Sequence, residues 1–368
     1  MKGELTPSHG AVEEVEAIVR WYLEVAYGQW EGPGCLPYFA DPARVGSFAV
    51  SLAKLRERDP QETFRLLIQT AMYQSRRDVD IMALQRSTPT RAVQALTSYT
   101  RLSTLVQRGR CEHLRSHDAF DAACDVRRDP SRGTSTCGHR PRTSCHVKDA
   151  TVAIRRMGDM GKLPTSAWLH LGSAGVAGWL EEICRETGAP QDRAARMVDR
   201  ISQIYKIGRK LASMFVSSLS VDELTPGFSP WSPDLDGRNL LVIDANVGRS
   251  VLMMRGSGPK SYEAMTGWLT AVSSRINLAA LRPGLPRDSP RLVQQALYVF
   301  RSKSNRAARG DQCSHTPCNT CPSNICPFAT QDEPAPPKRV VLARANDGLA
   351  RNNVRKSATT TRIRSGVR

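Results

Sequence analysis

With 368 residues and a formal net charge of +17, the chain is long enough for two lobes with cores of their own, and its balance points to a polyanionic partner rather than to any one fold. No apolar run reaches the length of a membrane span, and Glu13, Glu14 and Glu16 lie too close to the first apolar residues for a secretory signal. Ten cysteines in a chain so read suit metal ligands or free thiols of a reducing, cytoplasmic compartment (the nucleoid, in a bacterium), not a disulfide framework.

Val12, Val15, Ile18, Val19 and Tyr22 recur on one face of an amphipathic helix over 11–29, and a turn-rich patch with Gly32, Pro33, Gly34 and Pro37 follows. Asp59-Pro60 is a helix start, with Asp as N-cap and Pro in the first turn. Phe64, Leu67, Ile68, Ala71 and Met72 mark the buried face of that helix, which runs out in Tyr73-Gln74-Ser75-Arg76-Arg77-Asp78. Residues 108–148 change character: Cys111, His113, His117, Cys124, Cys137, His139, Cys145 and His146 stand among nine Arg or Lys. No two of these cysteines have the Cys-x-x-Cys spacing of a zinc knuckle, so a bound metal and a solvated basic loop both stay open. Helices are predicted over 166–187 and 191–206, parted by Gly188-Ala189-Pro190.

Met197, Ile201 and Ile204, then Leu211, Met214 and Phe215, give two helical stripes interrupted at Gly208, where glycine permits backbone angles that other residues resist. The N-terminus of the second helix offers unpaired N–H groups suited to a phosphate. Further on, the apolar run Leu240 to Ile243 stops at Asp244, an N-cap for a helix whose Val247, Val251 and Met254 share a face. Helices over 261–282 and from Ser289-Pro290 onward follow, the latter with Leu292, Ala296, Val299 and Phe300 on one side. Cys313, Cys318, Cys321 and Cys326 are spaced C-x4-C-x2-C-x4-C. Four thiolates in so short a loop need a cation to neutralise them, either a [4Fe–4S] cluster or a structural Zn2+. Residues 331–368 carry nine Lys or Arg against three acids and few large apolar side chains, which predicts a disordered basic tail.

Gly208-Arg209-Lys210-Leu211-Ala212 and Ile243-Asp244-Ala245-Asn246-Val247-Gly248-Arg249 together resemble the helix-hairpin-helix DNA glycosylases of the endonuclease III and adenine-mismatch glycosylase type. The hairpin of that family reads roughly Leu-Pro-Gly-Val-Gly-Arg-Lys/Ser, and its catalytic segment Val/Leu-Asp-Thr/Gly-His/Asn-Val-x-Arg. Here Tyr205 and Lys206 stand where the family has Pro and its first Gly. The helix ending in Gln74 is similar to the segment that opens the family's barrel, where a Gln projects into the duplex beside the flipped base. The four-cysteine loop falls where the family carries its cluster.

The resemblance implies an all-α, two-lobed fold acting as a monomer on double-stranded DNA. Residues 1–58 and 241–330 would form a cluster-bearing lobe and 59–240 a six-helix barrel carrying the 108–148 insertion, with 331–368 as tail. Asp244 would stabilise positive charge on the sugar while a flipped base leaves, and Lys210 would attack that sugar to form an imine and nick the strand. Gln74, Lys206, Gly208, Arg209 and Arg249 would contact DNA, and Cys313, Cys318, Cys321 and Cys326 would hold the cluster. A damaged, mismatched or modified base would be excised. Two alternatives stay open: a monofunctional glycosylase without lyase activity, and a catalytically silent iron–sulfur DNA-binding protein on the same scaffold.

Overall fold

Side-chain caps fix where many of the helices begin. Ser8, Asp59, Asp244, Ser261 and Ser289 each accept a backbone N–H from the third residue onward, and Pro60 and Pro290 occupy first-turn positions that need no donor. The computed structural model describes residues 6–74, 76–108, 112–124, 161–308 and 326. Among the described residues the chain is helical and holds no β-strand, only an isolated bridge between Tyr27 and Glu31. The longer helices are α1 (His9–Trp21), α2 (Pro60–Ala71), α3 (Asp78–Ser87), α4 (Thr90–Thr97), α5 (Tyr99–Arg108) and α6 (Leu163–Leu171). Beyond these come α7 (Gly175–Cys184), α8 (Pro190–Ile201), α9 (Arg209–Ser220), α10 (Ala245–Arg255), α11 (Tyr262–Ser273) and α12 (Pro290–Arg301). No helix among the described residues is long and apolar enough to cross a membrane.

Two hydrophobic cores organise these helices. In the first, α2 buries nine of its twelve residues and is flanked by α4, α5, α7 and α9. This core draws on Phe39 to Leu240, and α8 and α9 pack on each other within it. In the second, α12 buries ten of its twelve residues against α1, α10 and α11. It is assembled from two distant stretches, Ala11 to Tyr27 and Leu241 to Phe300. Leu292, Val293, Leu297, Val299 and Phe300 are fully shielded there. Each such side chain contributes about 1.5–3 kcal/mol by leaving water.

Several boundaries differ from the sequence reading. Phe39, Val45, Phe48 and Leu55 pack in the first core, so the placing of all of 1–58 in the second lobe is corrected: only the α1 end joins it. The apolar spacing across 39–55 is too irregular to announce its partner. The helix read over 166–187 is two, because Gly172 and Gly175 take left-handed backbone angles (φ 65° and 63°) between α6 and α7. The stretch 261–282 likewise breaks, with Asn277 capping a short second helix, Leu278–Leu281. Of the 108–148 insertion, 108 and 112–124 are described; there Leu114, Phe120 and Cys124 form a small cluster against Leu169 of α6. The predicted tail, 331–368, lies outside the described residues.

Candidate functional site

The loop between α8 and α9 is pinned by Ile204 and Ile207, both buried in the first core, while Lys206, Gly208 and Arg209 stay exposed. Lys206 holds φ +62°. Gly208, by contrast, is extended (φ −87°, ψ 174°) and serves as the N-cap of α9. The expectation of unusual backbone angles at Gly208 is therefore corrected: they fall at Lys206, the position of the first Gly in the resembled hairpin. A Cβ placed on Gly208 would meet nothing within 4 Å, so internal packing gives no reason for glycine there.

Gln74, just past α2, donates its amide nitrogen to the carbonyls of Ala71 (2.7 Å) and Lys206 (3.0 Å). In this DNA-free structure the amide nitrogen is engaged within the protein and ties the end of α2 to the hairpin. One residue earlier, the Tyr73 carbonyl accepts from Lys210 Nζ at 3.0 Å. Lys210 in the first turn of α9 is thus held over the same end of α2.

Asp244 reaches this place from the other core. Leu240 to Ile243 are buried, and the chain then turns into α10 with the Asp244 carboxylate accepting from the Val247 N–H at 2.8 Å. Lys210 and Asp244 both line one cavity of ≈ 470 Å3, together with Tyr73, Asp78, Arg291 and Tyr298. Burial pushes the Asp244 carboxyl above the ordinary carboxylate range; the Val247 N–H and the Lys210 charge pull against that rise, and Asp78 adds to it. Tyr298 donates its hydroxyl to Asp78 and accepts from the Asn305 amide. Burial, reinforced by Asp78, drives the Tyr298 phenol well above its usual range. The Tyr73 hydroxyl is buried with no hydrogen-bond partner among the described residues.

The remaining predicted residues lie apart from the cavity. Arg209 is exposed, its guanidinium 6.0 Å from the Tyr262 ring centroid, and Arg249 is exposed on α10. Cys326 is half-buried against the second core; Cys313, Cys318 and Cys321 lie outside the described residues. The donor set itself, four thiolates in one loop, fits either [4Fe–4S] or Zn2+. Among the described residues, no group of three or more His, Cys, Asp or Glu is arranged to hold a metal ion.

Sequence reading missed the wall that α12 gives this cavity. Arg291, Gln294, Gln295 and Tyr298 recur at helical spacing and form a polar stripe on a helix otherwise packed in a core. That spacing was the available signal, masked by the apolar residues interleaved with it. No family model matches this chain, and no curated protein and no solved structure matches it.

Proposed function

We propose that the chain is a DNA glycosylase with AP-lyase activity, built as a six-helix barrel lobe and a cluster-bearing lobe. The observation that carries the reading is the meeting of Lys210 and Asp244, from different cores, at one cavity in which the charge of one bears on the carboxyl of the other. The net charge of +17 and the open N-terminal turn of α9 support a nucleic-acid partner. A cavity of ≈ 470 Å3 lies within the ordinary range of small-ligand sites, roughly 300–1,000 Å3, and suits an extruded base.

In this reading the glycosidic C–N bond breaks and the base leaves with the electron pair, to be protonated. The Asp244 carboxylate stabilises the positive charge left on the sugar. Lys210 Nζ, as the free amine, bonds to the anomeric carbon. The sugar ring opens, the nitrogen sheds its remaining protons but one, and a protonated imine results. Loss of a proton from the neighbouring carbon then expels the 3′ phosphate. The cysteine loop would hold a [4Fe–4S] cluster or, alternatively, Zn2+ through Cys313, Cys318, Cys321 and Cys326, and no step passes through it.

Borohydride added to the protein and an abasic duplex should trap a covalent adduct that Lys210→Ala loses. Absence of any adduct counts against the lyase and favours the monofunctional alternative. The catalytically silent reading draws support from Tyr205 and Lys206, which depart from the resembled hairpin. It requires that neither Lys210→Ala nor Asp244→Asn change the protein's behaviour on DNA.

A further inference from the structure

Arg291 is 6 % exposed, in the first turn of α12, yet it lines the cavity. A guanidinium so sheltered ordinarily meets a carboxylate. Arg291 instead donates to two neutral oxygens, Ser217 Oγ at 3.2 Å and Gln295 Oε1 at 3.0 Å. Gln295 in turn donates to Glu31 at 2.9 Å, so the compensating negative charge sits one side chain away. A guanidinium carries five N–H donors, and these two bonds use only part of that set.

Gln294, on the same stretch of α12, accepts the Val242 backbone N–H at 3.2 Å through Oε1. That bond fixes its orientation: the amide NH2 is the end left to meet a ligand. The α12 wall is therefore rich in donors. With Glu31 already balancing Arg291, and Asp78 and Asp244 elsewhere around the cavity, the wall has no need of a further anion. It calls for a neutral group with acceptors.

Resting on the glycosylase reading, we infer that Arg291 and Gln294 select the extruded base, favouring one that presents carbonyl oxygens — an oxopurine or a 2,4-dioxopyrimidine — over adenine. The 6-amino group of adenine would point a donor at donors, and unsubstituted purine would offer only ring nitrogens in place of carbonyl oxygens to the donors of a buried site. A site built to hydrogen-bond discriminates strongly against an analogue that leaves its polar groups unpaired.

The test uses the full chain carrying Asp244→Asn, to hold substrates unreacted, and duplexes that differ in one residue: hypoxanthine, uracil, adenine, purine, or a tetrahydrofuran abasic analogue. Fluorescence anisotropy should give about tenfold or greater preference for hypoxanthine or uracil over adenine and purine. Adding Arg291→Gln should erase that preference, with hypoxanthine and uracil duplexes losing more affinity than the tetrahydrofuran duplex. Should Arg291→Gln fail to fold, the base panel alone decides. Equal binding of all four bases, or a preference for adenine, overturns the inference, as does a preference that survives Arg291→Gln. The abasic arm separates this from failure of the underlying reading: tight tetrahydrofuran binding with a positive borohydride trap leaves the glycosylase standing while the base selection falls. No preference for the abasic duplex and no trap would remove both.

Discussion

An aspartate that opens a helix is ordinarily only a cap, and two substitutions at Asp244 separate that role from chemistry. Asparagine caps a helix about as well as aspartate, because its side-chain oxygen can still take the Val247 N–H now held at 2.8 Å. At acid pH, where the Asp244 carboxyl is protonated, Asp244→Asn should therefore stay within about 0.5 kcal/mol of the wild type. Alanine leaves that N–H without its partner and should cost about 1 kcal/mol. As α10 anchors Val247 and Val251 in the second core, the loss should appear as a melting temperature lower by about 2–4 °C. For base release the two variants should be alike, each slower by about 100- to 1,000-fold, the usual effect of removing a group that faces charge developing in a transition state. Thermal melts alongside single-turnover base release measure both. If Asp244→Asn keeps the wild-type rate, the carboxylate does no more than cap α10, and the proposed mechanism is wrong.

Acid should act on the same group. The folded-state value of Asp244 is raised above 3.8, so its stabilising contribution is complete below the unfolded value and is lost as pH rises through the folded one. Asp244→Asn should thus gain stability relative to wild type as pH climbs through that window, and the wild-type rate, which needs the ionised form, should fall on acidification at a higher pH than an ordinary aspartate would impose; a rate flat through this range would contradict it. Lys206→Gly relieves a left-handed lysine, worth about 1–2 kcal/mol, against about 0.4–1 kcal/mol of added freedom in the unfolded chain. A small rise in melting temperature is expected, and a fall would refute the strain. Gly208→Ser adds a capping oxygen to α9 in open space, so the fold should hold or gain about 0.2–0.5 kcal/mol, while duplex affinity drops if a phosphate approaches there; titration and melting of one sample decide. Purified protein should contain iron and sulfide rather than zinc, and stripping the metal should lower the melting temperature, since Cys326 packs on the second core.

Legibility followed how locally each feature is encoded. Asp59-Pro60 and Asp244 announce their helices because a cap and its N–H lie three residues apart, and both starts stand as the sequence reads them. The pairing of α8 with α9 was readable from periodicity and a short link. The allocation of Phe39 to Leu55 was not, since their partners on α2 are fixed only by the completed first core. At the hairpin, the residue type misled: glycine marked 208 as the strained position, whereas the turn is closed at Lys206 and held by Gln74. Lys210 and Asp244 stood out as candidates because each opens a helix. Arg291 did not, because its place at the cavity depends on Glu31 and Gln295, brought together from opposite ends of the chain.

That the second core is made from both ends of the described chain bears on how the molecule is born. During synthesis α1 emerges with Val15, Ile18 and Val19 uncovered, and α10 to α12, which shelter them, arrive only after the whole first core has been translated. The nascent chain must carry a sticky amphipathic helix through that interval, a situation that invites chaperone holding and penalises premature release. Fusing a bulky, fast-folding partner directly ahead of α1 should therefore impair yield more than the same partner placed after residue 368.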